Sequence, residues 1–176
     1  MVLRKIQWDY WASVKEKPTE AEDNFPADPL ADLKTRDNRL SVYLIERDND
    51  PQLDRVLAAL AAKYMKVDLI NFALFDESVL KDLGLEYMQR PGDTFDHLVN
   101  RWHYDIVNLT ARDLIAIAHA LSDAVRDRRE KKEVGRMIVG GLRAGHIDPT
   151  QLLPELLSKL VKEKFLQLSS VAAASY

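Results

Sequence analysis

The 176-residue sequence contains no cysteine. Disulfide staples, cysteine-based zinc sites and thiol nucleophiles are therefore excluded. The absence also leans towards a reducing compartment, so a cytoplasmic setting is the expectation. Long hydrophobic runs are missing too. The longest unbroken one is Val56–Ala62, and Leu69–Phe75 is interrupted by Asn71, whereas a membrane span needs roughly 18 apolar residues. Met1–Tyr10 has no apolar core of the kind a signal peptide carries, so no signal peptide is expected.

Glycine is scarce, at six residues, and no phosphate-cradling pattern is present, neither GxGxxG nor GxxxxGKS/T. Gly135, Gly140 and Gly141 are followed by no Lys-Ser/Thr pair, and close helix packing or a bend accounts for them as well. No GxSxG elbow occurs, which leaves acyl transfer without support. Charge of one sign is also lacking. Lys and Arg number 25 against 28 Asp and Glu, a net of −3, which argues against nucleic acid as an obligate partner.

What is present reads as an ordinary folded chain. Hydrophobic residues make up 47% and charged residues 30%, and the length suffices for a core without staples. Ile6, Trp8 and Tyr10 alternate with polar residues, which predicts a strand. Lys15–Arg39 is a proline-bearing acidic connector of little periodicity, the kind of long loop that tends to be functional or disordered. Leu40–Glu46 predicts a strand covered on both faces. Asp50-Pro51 opens a helix with an apolar stripe from Leu53 to Tyr64, and Leu69–Phe75 reads as a second buried strand. Together they predict a parallel βαβ crossover over about 40–75. Gly84 is placed to end a short helix from Glu77, and Leu85–Met88 is a candidate strand.

After Pro91-Gly92 the period becomes helical. The stripe Phe95, Leu98, Val99, Trp102 and Ile106 predicts a helix to Asn108, with Thr94 as its cap. Thr110, with Asp113 at the capping-box position, opens another that is expected to run into Arg126–Glu133. Pro154 is expected to start a helix reaching Leu168. The predicted fold class is thus α+β, a small mixed sheet around the βαβ unit followed by an all-helical C-terminal half. In domain terms this gives an α+β portion over 1–92 with its acidic connector 15–39, a helical portion over 93–168 packed on it within one domain, and a frayed tail over 169–176.

Candidate chemistry is thin. His97 and His103, six positions apart on the expected helix, point about 120° apart and make no metal pair. His103 and Asp105 would converge only on a strand, where alternate residues share a face. No metal site and no cofactor are expected. Asp48 and Asp76 follow the two strands of the crossover and are the low-ranked catalytic candidates, since two carboxylates there would suit Mg²⁺ and a phosphate in a phosphoryl-transfer or nuclease-like enzyme. Asp is equally at home in turns and caps. The basic run Arg126–Arg136 reads as a solvated, salt-bridged helix end. Trp8, Tyr10, Trp11, Arg128 and Arg129 are candidate contact residues, aromatics and Arg being favoured in interfaces. The leading expectation is a non-catalytic interaction protein, an adaptor, inhibitor or complex subunit that binds another protein or itself, with no membrane association.

Overall fold

A computed structural model describes residues 1–11, 14, 25–33, 35–46 and 50–166. Part of the acidic connector (15–24 and 34), Asp48 and the expected tail lie outside the described residues. The chain divides into two compact units. The first takes in Met1–Arg47, Asn71–Pro91 and Trp102–Arg128, the second Asp48–Ile70, Gly92–Arg101 and Arg129–Tyr176.

The first unit is built on a six-stranded antiparallel sheet made from β1 (Val2–Ile6), β2 (Leu40–Leu44), β3 (Ile70–Phe75), β4 (Tyr87–Gln89), β5 (His103–Ile106) and β6 (Val125–Arg129), in the order β4-β5-β2-β1-β3-β6. β1 pairs antiparallel with both β2 (Val2 opposite Leu44) and β3 (Val2 opposite Phe75). β2 and β3 therefore run in the same direction, but β1 lies between them, so they are not the adjacent pair that a simple crossover would give. Alternation along the strands sends Val2, Ile6, Val42, Ala73 and Phe75 into one buried cluster. Ile117 and Leu121 join it from α6 (Ala111–Asp123), and Trp11 from the single turn α1 (Trp8–Trp11).

Local chemistry explains the element ends. Thr110 Oγ1 accepts from the Asp113 amide while Asp113 Oδ2 accepts from the Thr110 amide, so the capping box closes with Asp in the usual Glu position. Asp37 and Asn38 both adopt φ of 55° between the bridged Arg36 and Arg39, the pattern of a tight hairpin turn. α4 (Ser78–Asp82) ends with Gly84 at φ +66°, with Leu85 N–H reaching Leu80 O and Gly84 N–H reaching Lys81 O.

The second unit contains α3 (Asp50–Ala61), α5 (His97–Arg101), α7 (Lys131–Arg143) and α8 (Pro154–Lys162). Arg55 on α3 makes a two-pronged ion pair with the buried Asp96, Nε to Oδ2 at 2.6 Å and Nη2 to Oδ1 at 3.0 Å. Asp96 Oδ1 also accepts from the Leu98 and Val99 amides, so it, and not Thr94, caps α5. Gly135 on α7 faces the Phe165 ring, where a Cβ would come within 2.8 Å.

Four expectations are corrected. The helix expected to reach Asn108 stops at Arg101, and His103–Ile106 is a strand, because Tyr104 and Ile106 find a buried sheet face between β2 and β4. The helix from Thr110 ends at Asp123, and Val125–Arg129 is an edge strand whose charges suit an exposed edge. The C-terminal half is thus not all-helical. The strand expected through Tyr10 ends at Ile6. The connector, expected to be irregular, carries a helix, α2 (Ala27–Asp32).

Candidate functional site

The residues with the most unusual polar geometry lie on the sheet face opposite the cluster that holds Val42 and Ile106. Ser41 stands directly across from Asp105, and Tyr43 across from His103, so all four share that face. His103 and Asp105 are two apart on β5, which brings both side chains to one side. The convergence set aside for a helix is therefore realised on a strand. Arg90, one residue beyond β4, joins them from the next strand over, its amide donating to the His103 carbonyl.

Asp105 is the centre of this group. Its Oδ1 accepts from Ser41 Oγ at 3.2 Å and lies 3.8 Å from His103 Nε2. Its Oδ2 lies 3.8 Å from Arg90 Nε. His103 Nδ1 sits 2.9 Å from the Arg90 carbonyl. A carbonyl only accepts, so Nδ1 carries the proton and Nε2 faces Asp105. The Tyr43 ring meets the imidazole edge-on at 5.2 Å and restricts its rotation. In chemical terms this is not a nucleophile with its base. The serine hydroxyl donates to the carboxylate and not to the imidazole, so the Ser–His contact of an activated nucleophile is not formed here. What the group offers is an oriented imidazole nitrogen, a carboxylate and a hydroxyl, with a guanidinium at the rim.

On the core-facing side of the sheet a second polar group is structural. The β1–β2 pairing stops at Leu3 opposite Tyr43, while β1–β3 continues to Ile6 opposite Asn71. Arg4, just past the point where β1 leaves β2, donates from Nη1 to the Ser41 carbonyl at 2.8 Å. Burial lowers the Arg4 pKa from its ordinary value, and the nearby Asp32 charge, followed by Tyr43, opposes that shift. Asp32 Oδ2 accepts from Trp11 Nε1 at 2.7 Å and from the Gln7 amide at 2.9 Å.

Trp11 is a core residue, and Tyr10 packs against the same cluster. Trp8 is the exposed one of the three, at 39%. Arg128 is exposed on β6, whereas Arg129 pairs with Asp54 at 3.4 Å. Asp76 follows β3, and its Oδ1 accepts from the Ser78 amide at 3.0 Å, closing the turn into α4. Its intended partner, Asp48, lies outside the described residues. Among the described residues, no group of three or more His, Asp or Glu is placed to hold a metal ion, and no helix is long and apolar enough to cross a membrane.

One surface feature escaped the sequence reading. After α3, Tyr64, Met65 and Leu69 are 49%, 60% and 42% exposed, all within the connection 62–69. The ion pair Lys66–Asp68, at 2.8 Å, sits between them. Tyr64 read as part of the helix stripe and Leu69 as the start of a buried strand. Because α3 ends at Ala61 and β3 begins at Ile70, neither has an element to be buried by.

No family model, curated protein or solved structure matches the chain. The sites therefore have to be read from their own chemistry.

Proposed function

We propose that this is a non-catalytic cytoplasmic interaction protein, an adaptor, inhibitor or complex subunit whose partner is another protein. The observation that carries the reading is the exposed trio Tyr64, Met65 and Leu69. Large apolar side chains scattered singly over a surface need no explanation, but three exposed in one short connection are what a contact surface would use. An aromatic with a polar tip and a flexible thioether are side chains suited to such contacts. The Lys66–Asp68 pair and the Lys63–Asp93 pair, at 2.6 Å, lie close to the trio in sequence and would supply charge at the edge of such a contact, the ordinary anatomy of a protein interface.

Site-specific photocrosslinking from position 65, in native lysate, tests it. One protein captured stoichiometrically, and lost when Tyr64→Ala and Leu69→Ser are combined, is the expected result. Capture that is spread over many proteins, or unchanged by those substitutions, rejects this surface as the interface.

A further inference from the structure

We propose that His103 and Asp105 form an open chelate for a divalent transition-metal ion of the Zn²⁺, Co²⁺ or Ni²⁺ class. His103 Nε2 and Asp105 Oδ1 are the protein donors, Ser41 Oγ is a third and weaker one, and the remaining positions are left to water or to a donor from outside the chain. The site is not the apolar surface at Tyr64–Leu69, and neither proposal depends on the other.

Four features of the group support a metal. The first is the tautomer. Metal-bound histidines usually donate their other ring N–H to a carboxylate or backbone carbonyl, which fixes the free nitrogen towards the ion. His103 already has that arrangement, with Nδ1 on the Arg90 carbonyl at 2.9 Å and Nε2 turned to the carboxylate. The second is the bite. Two donors at about 2.1 Å from a tetrahedral ion are ~3.4 Å apart, so the observed 3.8 Å needs to close by only a few tenths of an ångström. The third is the third donor, since Ser41 Oγ lies 3.2 Å from the same Oδ1 and Ser41 is solvent-exposed, so the ion can enter from that side. The fourth is order. Tyr43 holds the ring edge-on, and both ligands sit on a strand that is paired on each side, a more rigid support than a loop.

The donor set also selects the ion. Imidazole with carboxylate suits Zn, Co, Ni or Cu, whereas Ca²⁺ and Mg²⁺ favour all-oxygen shells. Arg90 works against a cation, but its guanidinium faces Oδ2, the other carboxylate oxygen, from 3.8 Å and is itself solvent-exposed, so its repulsion is screened. One carboxylate, one imidazole and an opposing charge make a weak, exchangeable site with open positions, unlike a closed four-ligand structural site.

The test uses the full chain without a histidine tag. Zn²⁺ titration by calorimetry is expected to show one saturable site, weakened roughly 10-fold or more by His103→Gln or Asp105→Asn and unaffected by His146→Gln. Ring-nitrogen NMR of the wild-type protein is expected to show Zn²⁺ moving the His103 Nε2 resonance while Nδ1 keeps its proton. The proposal is overturned by any of three results: no saturable uptake below about 100 µM, uptake that survives both substitutions, or ring-nitrogen shifts confined to other histidines. If a variant does not fold, the wild-type NMR result decides alone.

Discussion

Trp11 Nε1 donates to Asp32 Oδ2 at 2.7 Å, tying the turn after the first strand to the end of α2 across 21 positions of sequence. The same oxygen takes the Gln7 amide, and the carboxylate supplies the main charge that offsets burial of the Arg4 guanidinium. Removing it would orphan two donors and leave a buried cation uncompensated. Asp32→Ala is therefore expected to cost about 3 kcal/mol in urea unfolding, well above a typical surface substitution. A loss under about 1 kcal/mol would show that the group is not acting as a unit.

The Arg55–Asp96 pair predicts how the protein meets acid. Burial pushes the Asp96 carboxyl up, but the Arg55 hydrogen bond and the Val99 and Leu98 amides outweigh it and hold the group below the ordinary carboxylate range. A depressed carboxylate contributes stability that is fully present above its unfolded pKa, about 4, and is lost as pH falls through the lower native value. Circular dichroism against pH should show wild type losing stability over that acid interval. Asp96→Asn should be less stable at neutral pH and flatter below pH ~4.

At the alkaline end the relevant contact is Tyr87 with Glu77, its hydroxyl donating to the carboxylate. That hydrogen bond, with lesser help from desolvation and from the Glu77 charge, pushes the phenol up to about 12. A raised pKa means stability that is present below about 10, the unfolded value, and lost as pH rises through the native one. Ultraviolet titration of tyrosinate should find one of the six tyrosines ionising near 12, and Glu77→Gln should return it towards about 10.

Two glycines of α7 offer an internal comparison. Nothing lies within 4 Å of a Cβ built at Gly140, so Gly140→Ala should gain about 0.5–1 kcal/mol from helix propensity. At Gly135 the Phe165 ring stands 2.8 Å from that position and must swing away. Gly135→Ala should come out about 1–3 kcal/mol less stable than Gly140→Ala in thermal or urea unfolding. Equal effects would mean that Phe165 yields without cost.

Local chemistry was legible in the sequence wherever the partner was nearby. The Thr110–Asp113 box, the helix start at Pro154 and the left-handed Gly84 could all be read because each depends on residues within a few positions. β5 and β6 could not. Phe95, Leu98, Val99, Trp102 and Ile106 fit a helical stripe, and only the pairing of 103–106 with β2, some sixty positions earlier, selects the extended form. The polar group at Asp105 was hidden for the same reason. His103 and Asp105 diverge on a helix and converge on a strand, so their relation could not be read before the backbone was known. A cue was present, since His103 and Asp105 alternate with Tyr104 and Ile106 at period two, but four residues are too few to outweigh the longer helical pattern.

The place of β1 between β2 and β3 has a consequence for synthesis. β1 is an inner strand, and one of its two neighbours lies about seventy residues downstream. Until that neighbour has been made, β1 has no more than one flank covered, and its apolar residues wait in an incomplete sheet. Closing so long a loop precedes the contacts that reward it, which slows folding and leaves nascent or truncated chains open to the wrong partner. For this protein the vulnerable interval is the time between making β1 and making β3, and it belongs to chain order more than to the finished structure.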